Sequence, residues 1–343
     1  MTRRARKATH DAGAARASDP LYHGVALRRV CDRSVLGVLV RFESNSAVVM
    51  QAVDATFPAR GQDRTSRATD AQVRVRLILH EGVEGPGERI PISYRLPDED
   101  RVVMHTQGSL AIADARRREG IAYLTRAFLG QFDHLCFGIL EPLVLVLVTQ
   151  LDRHPVHAAV VGRGDTALVL AAPAGTGKST LAYAAMRAGL TVFADDGAYI
   201  QTRPSLRLWG APGRLYLPPD TRRWFPELAR HRPRRLATGK TKLVIEPRRP
   251  RGNSGRPATR VGVCLIERTG GPLRVARVGA LTLKRALWTG LGVQLPMYRS
   301  TAGPALTGLC QGGGWRLNLS KNPEQAVGYL ERMLDEIAKR PRR

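Results

Sequence analysis

The sequence predicts an α/β protein in which a P-loop core follows a β-rich N-terminal module, and three observations carry that reading. A phosphate-loop pattern occupies residues 172–179. An apolar run, Ala167-Leu168-Val169-Leu170-Ala171, stands directly before it, and a helix-compatible stretch from Ser179 to Ala188 directly after it. Upstream, from Leu21 to about Gly120, short alternations such as Val35-Leu36-Gly37-Val38-Leu39-Val40 and Val73-Arg74-Val75-Arg76-Leu77-Ile78-Leu79 are separated by loops rich in Gly, Pro, Asp and Arg.

Length and composition bound the classes. The chain has 343 residues, 43% of them hydrophobic, enough for one large domain or two smaller ones with proper cores. The strongest apolar stretch, Pro142 to Val148, is flanked by Glu141, Gln150 and Asp152 and reads as too short to span a bilayer. The basic N-terminus lacks an apolar core and a small-residue cleavage site, so no secretory signal is expected. Cys31, Cys136, Cys264 and Cys310 show no C-x-x-C spacing, which suits reduced, buried thiols and a cytoplasmic location.

The formal charge is +25. Only seven lysines contribute, so the excess is nearly all Arg, as GC-rich codon usage would produce. Both ends are basic and read as tails at 1–20 and 339–343. A denser block from Arg222 to Arg260 includes Arg230, Arg232, Arg234, Arg235, Lys240, Lys242, Arg248, Arg249, Arg251 and Arg256 against only Glu227 and Glu246. It reads either as a solvated loop or as a grip for an acidic peptide or for ATP phosphates. No zinc-finger, helix-turn-helix or RNA-binding aromatic motif accompanies it, and a nucleic-acid-associated ATPase rests on charge alone.

Along the chain, Arg118 to Phe132 and Glu141 to Leu151 read as helices leading into the nucleotide core. The P-loop helix should stop at Gly189, and Leu190 to Ala194 reads as a strand ending in Asp195-Asp196-Gly197. Ala198 to Thr202 and Ser205 to Trp209 follow as strands joined at Arg203-Pro204. Pro219-Asp220 opens a short helix carrying Trp224 and Phe225, and Val261 to Ile266 is another buried strand. The last helix has Asn322 as N-cap, Pro323 in its first turn, and Val327, Leu330, Leu334 and Ile337 on one face. The expected divisions are thus 1–20, a β-rich module at 21–120, a P-loop domain at 121–338, and a tail at 339–343.

The loop reads Ala172-Pro173-Ala174-Gly175-Thr176-Gly177-Lys178-Ser179, followed by Thr180; it is G-x-x-x-x-G-K-[ST] with Ala for the first Gly. Backbone N–H groups there can face phosphate oxygens, Lys178 can reach the outer phosphates, and the Ser179 hydroxyl suits Mg²⁺. Asp195 follows Lys178 by only 17 positions (195 − 178). Asp-Asp-Gly is also good turn chemistry, and His157 alone on an apolar strand also reads as a core residue.

These residues in this register resemble the HPr kinase/phosphorylase family. His157 lies 21 positions before Lys178 (178 − 157), on an expected strand that turns at Gly162-Arg163-Gly164-Asp165 into the P-loop strand. The resemblance spans about His157 to Tyr199. It departs at Ala172 and lacks the family's Glu-x-Arg-Gly signature, for which Trp209 to Leu215 is the nearest segment, without a carboxylate.

The resemblance implies a kinase core of the HPr kinase/PEP carboxykinase-like type with a mixed sheet. It implies ATP and Mg²⁺, with Asp195, Asp196 and His157 catalytic and Ser179 with Asp196 at the metal. The expected reaction is γ-phosphoryl transfer to a Ser hydroxyl of a small protein or peptide, with reversal allowed. A homo-oligomer and a cytoplasmic setting without membrane attachment are expected. A catalytically silent nucleotide-binding scaffold is the other alternative. Tyr199 reads as packing, and Arg214, Lys240 and Lys242 are candidate cations in a chain where surface Arg and Lys are abundant.

Overall fold

A computed structural model describes residues 22–59, 71–80, 91–106, 108–210, 213–236, 239–246, 256–290, 296–320 and 322–340. The 1–20 tail, residues 341–343 and Arg248, Arg249 and Arg251 of the basic block therefore lie outside the described residues. The fold is mixed α/β with several sheets and a strand-rich N-terminal region.

The first seven strands are β1 (Arg29–Val35), β2 (Val38–Ser44), β3 (Val73–His80), β4 (Ser93–Arg95), β5 (Arg101–Thr106), β6 (Ser109–Asp114) and β7 (Glu119–Thr125). They form one sheet in the order β1-β2-β3-β7-β6-β5-β4. The Val35–Val40 run is a hairpin, because Leu36 (φ 51°) and Gly37 (φ 75°) both take the left-handed conformation that a two-residue turn requires. A Cβ on Gly37 would stand 2.3 Å from the Trp209 ring, so this glycine also permits close packing on a distant strand.

Helix α1 (Ala47–Thr56) is capped by Ser46, whose side chain accepts from the Val49 N–H. It packs with a helical stretch made of α2 (Arg126–Leu129), α3 (Phe132–His134), a π-helical segment Leu135–Leu140 and α4 (Glu141–Thr149). Two expectations are corrected here. Arg118–Phe132 is not one helix: residues 119–125 are β7, whose Gly120, Ala122 and Leu124 alternate inward between β3 and β6. Helix α4 does not lead into the nucleotide core but buries Leu143, Val144 and Leu147 in the N-terminal core. Within the helical stretch, residues 132–149 have the length and composition to cross a membrane, longer than the Pro142–Val148 run suggested, and 61% of them are buried in the fold.

The chain continues with β8 (His154–Val156), β9 (Ala159–Arg163), β10 (Thr166–Ala171), α5 (Lys178–Arg187), β11 (Thr191–Ala194), β12 (Ala198–Gln201), β13 (Arg207–Gly210) and β14 (Leu215–Leu217). Two 3₁₀ turns, Pro219–Arg223 and Pro226–Arg230, follow. Trp224 and Phe225 thus lie between these turns rather than inside a helix. Then come β15 (Arg234–Arg235), β16 (Thr241–Ile245), β17 (Arg260–Glu267), β18 (Arg274–Val278), α6 (Ala280–Gly290), α7 (Pro296–Cys310), β19 (Gly314–Asn318) and α8 (Val327–Ala338).

Six of these strands make the central sheet, ordered β11-β9-β10-β17-β19-β18. Strands β10, β17 and β19 are parallel, whereas β9 is antiparallel to both β10 and β11. Alternation along β9 and β10 divides the core: Val161, Leu168 and Leu170 face α5 and α8, while Val160, Val169 and Ala171 face α6 and α7. Strand β10 is buried on both faces, which is why it reads as an unbroken apolar run. The last helix forms with its expected apolar face, but α8 begins only at Val327: Asn322 and Pro323 belong to a preceding 3₁₀ turn, where the Asn322 side chain accepts from the Glu324 N–H.

Candidate nucleotide site

The direction of the strands decides what meets at the sheet edge. Since β10 and β11 both run antiparallel to β9, their C-terminal ends and the N-terminal end of β9 lie together. The P-loop leaves β10 at this edge, Asp195 and Asp196 leave β11 there, and His157 precedes β9 there. The parallel strand β17 delivers Arg268 to the same edge.

Within the loop, Gly175 (φ 82°) and Gly177 (φ 112°) occupy the left-handed region, where a side chain would strain the backbone. Ala172 is not among the residues with positive φ, so alanine is tolerated where the motif has its first glycine. Gly177 is the N-cap of α5, whose first turn begins with Lys178. Pro173, Ala174 and Gly175 are exposed at the tip, while Thr176 and Ser179 are half-buried and Thr180 is buried. The Thr176 hydroxyl donates to the Pro173 carbonyl at 3.0 Å.

Lys178 is buried, and its Nζ donates to the carbonyls of Ala172 at 2.7 Å and Pro173 at 3.3 Å. Burial lowers its pKa, and the nearby Asp196 and Asp195 oppose that shift. Both carboxylates therefore act on the loop lysine. An ammonium held by loop carbonyls beside a helix N-terminus is suited to bind phosphate oxygens.

Asp195 is 8% exposed. Its Oδ2 accepts from the Tyr216 N–H at 2.8 Å, and its Oδ1 is buried with no hydrogen-bond partner among the described residues. Burial pushes its carboxyl up to about 6, while the Tyr216 amide, the nearby Ser179 hydroxyl and the positive charge of Lys242 pull the other way. A buried acceptor atom without a donor costs free energy, so this oxygen is prepared for a partner brought from outside. Asp196 is exposed, and its Oδ1 stands 3.2 Å from His157 Nδ1.

His157 is not on a strand, as the sequence suggested. It sits in the break between β8 and β9, half-buried, and this break frees its ring to reach Asp196. Tyr199 is buried with Trp209 in the N-terminal core, in keeping with a packing role. Arg214 lies outside the loop, between Asp133 and Glu246, each at 3.3 Å. In the basic block, Arg222 donates to the carbonyls of Leu228 and His231 and so braces its own loop.

Sequence reasoning missed Arg268 and Tyr216. Arg268 Nε donates to the Thr176 carbonyl at 3.4 Å and its Nη1 to the Ser320 carbonyl at 3.2 Å, which puts a second cation on the phosphate loop. The available signal was an arginine two positions past the buried apolar run Val261–Ile266. Tyr216 contributes only its backbone, and no residue-type pattern marks such a group.

The donors present suit a hard divalent cation. Ser179 offers a hydroxyl, and Asp195 and Asp196 offer carboxylate oxygens beside the loop. No group of three or more His, Cys, Asp or Glu side chains able to hold a metal occurs among the described residues. A cation here would complete its coordination with phosphate oxygens and water, which is how Mg²⁺ is commonly bound.

No protein-family model matches the chain, and no curated protein matches it. Among solved structures it is similar to the HPr(Ser) kinase/phosphatase from Coxiella burnetii, at 10% identity and a TM-score of 0.25, over 53% of this chain and 94% of that chain. A likeness that slight carries no argument about fold or function.

Proposed function

We propose that the chain is an ATP-dependent phosphotransferase with an HPr-kinase-like P-loop core, acting on a Ser hydroxyl of a small protein or peptide. The observation that carries the proposal is Asp195: a buried carboxylate, one oxygen orphaned, at the sheet edge that also holds the phosphate loop. Its register with Lys178 and the contact between His157 and Asp196 support the same reading.

Phosphoryl transfer asks mainly for positioning and charge neutralisation. Residues Ala172 to Gly177 and the start of α5, through Thr180, would cradle the phosphates, and Lys178 would neutralise them. Ser179 and Asp196 would hold Mg²⁺, which supplies further neutralisation of the transferred group. Asp195 Oδ1 would take the proton of the attacking hydroxyl, a role suited to a carboxyl poised near 6. His157 would orient Asp196, and Arg268 would brace the loop from the β17 side. The division into an N-terminal module, expected at 21–120, and a P-loop domain, expected at 121–338, belongs to this proposal, with the join moved to residues 150–153 because β7 and α4 pack with the N-terminal sheet and core.

The direct test is intact-mass analysis of Ser-containing peptides and small proteins incubated with the chain, ATP and Mg²⁺. A gain of one phosphoryl group that disappears in Lys178→Ala supports the reading. Nucleotide affinity that is equal in the wild type and Lys178→Ala would remove the P-loop assignment and the kinase with it.

A further inference from the structure

A second concavity lies behind the carboxylate. A cleft of about 890 Å³ separates the N-terminal half from the β14–β16 sheet. Ile92 and Phe137 line one wall and Val244 the other, and the Phe132 ring is 41% exposed at the side. This volume is in the range of pockets that take small ligands or several side chains of a peptide.

The rim is cationic. Arg214, Arg234 and Arg235 line the cleft, and Lys242 pairs with Arg234 across the β15–β16 ladder. Against them stand Asp133, shared by Arg214 at 3.3 Å and Arg234 at 3.4 Å, and Glu246 beside Arg214. The Arg214 guanidinium also lies over the Phe137 ring, 4.6 Å from its centre, so charge and apolar surface are interleaved.

The cleft also abuts the catalytic edge. Tyr216 lines it, and the amide of the same residue holds Asp195 Oδ2 at 2.8 Å. A chain seated in the cleft therefore has one hydrogen-bonded residue between itself and the carboxylate.

We propose that this cleft docks the phosphoryl acceptor and selects a peptide segment carrying Asp or Glu beside an apolar side chain. The inference rests on the phosphotransferase reading for the word acceptor, but not for the binding itself. Carboxylates of the peptide would compete with Asp133 for Arg214 and Arg234, and its apolar side chain would cover Phe137 and Val244.

The test uses the full chain without nucleotide on an array of random Ser-containing heptapeptides. Bound peptides are expected to be enriched in Asp and Glu next to apolar residues. Arg234→Glu with Arg235→Glu, both at exposed positions, should weaken them at least tenfold and shift the preference toward Lys and Arg, with ATP affinity within twofold of wild type. The proposal is overturned if the wild type shows no charge preference, or if the double variant binds the same peptides equally. It is also overturned if the variant loses duplex DNA binding or self-association instead. Failure of the array with Lys178-dependent ATP binding intact would discard the docking cleft and leave the kinase reading. Success of the array with ATP binding indifferent to Lys178→Ala would do the reverse.

Discussion

The Tyr216 amide donates to Asp195 Oδ2 at 2.8 Å, while Asp195 Oδ1 is buried with no hydrogen-bond partner among the described residues. One backbone group thus fixes the carboxylate and aims its other oxygen. Replacing that carboxylate by an amide keeps the shape and the Tyr216 contact but removes the proton acceptor. Asp195→Asn is expected to lower transfer by roughly 10²–10⁴-fold, the usual contribution of a positioned base. Mg-ATP binding, followed by calorimetry, should stay within a few-fold. Loss of Mg-ATP binding would instead make Asp195 a metal group, and near wild-type transfer would remove its catalytic role.

The raised pKa of Asp195 has two consequences for pH. Transfer requires the ionised carboxylate, so kcat/KM should fall as pH drops below about 6. Stability moves the other way. The folded state binds the Asp195 proton more tightly than the unfolded chain does, so stability is greatest in acid and is lost as pH rises from the ordinary 3.8 through about 6. Glu141, pushed up by burial to about 7 against a smaller opposing effect of Arg214, adds a loss of the same sign up to that pH. The midpoint of thermal unfolding should therefore decline between about pH 4 and 7. Asp195→Asn should flatten that decline and raise stability at pH 7.5 by roughly 2–3 kcal/mol at most. A midpoint that rises over this range would contradict both burial effects.

Lys178→Ala should abolish or strongly weaken ATP binding while changing thermal unfolding little. Among the described residues Nζ hydrogen-bonds the Ala172 and Pro173 carbonyls, and the loss of these bonds should cost about 1 kcal/mol. A collapse of stability would make this lysine a structural clasp.

Asp196→Asn should act differently from Asp195→Asn. Asp196 is exposed and shares its Oδ1 with His157, so the expected effect is a several-fold higher Mg²⁺ requirement with a smaller loss of maximal transfer. His157→Ala should move the Mg²⁺ dependence in the same direction. Opposite effects of the two changes would mean that the pair does not act as a unit, and titration of rate against Mg²⁺ separates these outcomes.

Gly37→Ala tests the contact between the first hairpin and β13. The new methyl would meet the Trp209 ring and would also have to hold a φ of 75°. Both effects destabilise, by roughly 2–4 kcal/mol together. Denaturant unfolding near wild-type would show that Trp209 can move aside.

The loop, its flanking strand and helix, and the final helix were legible because local patterns specify them. Gly175, Gly177, Lys178 and Ser179 obey a short-range steric and electrostatic logic, and α8 carries its own apolar face, entered through a 3₁₀ turn that Asn322 caps. The strand at residues 119–125 was not legible. Its seven residues suit a helix locally, and pairing with β3 on one side and β6 on the other makes them extended. The same holds for the break that frees His157, which depends on where β8 joins β12 and where β9 joins β10.

By itself, the sequence determined that a phosphate-loop pattern is followed by two carboxylates, because spacing along one chain is a local property. That Asp195 is buried with one oxygen orphaned, that Arg268 braces the loop, and that Arg214, Arg234 and Arg235 share a cleft were decided by tertiary structure alone. The physical reason is that burial and strand direction are set by distant partners. The carboxylates reach the loop because β11 runs parallel to β10 across the intervening β9, and Asp195 is poised near 6 because its burial outweighs the opposing Tyr216 amide of β14.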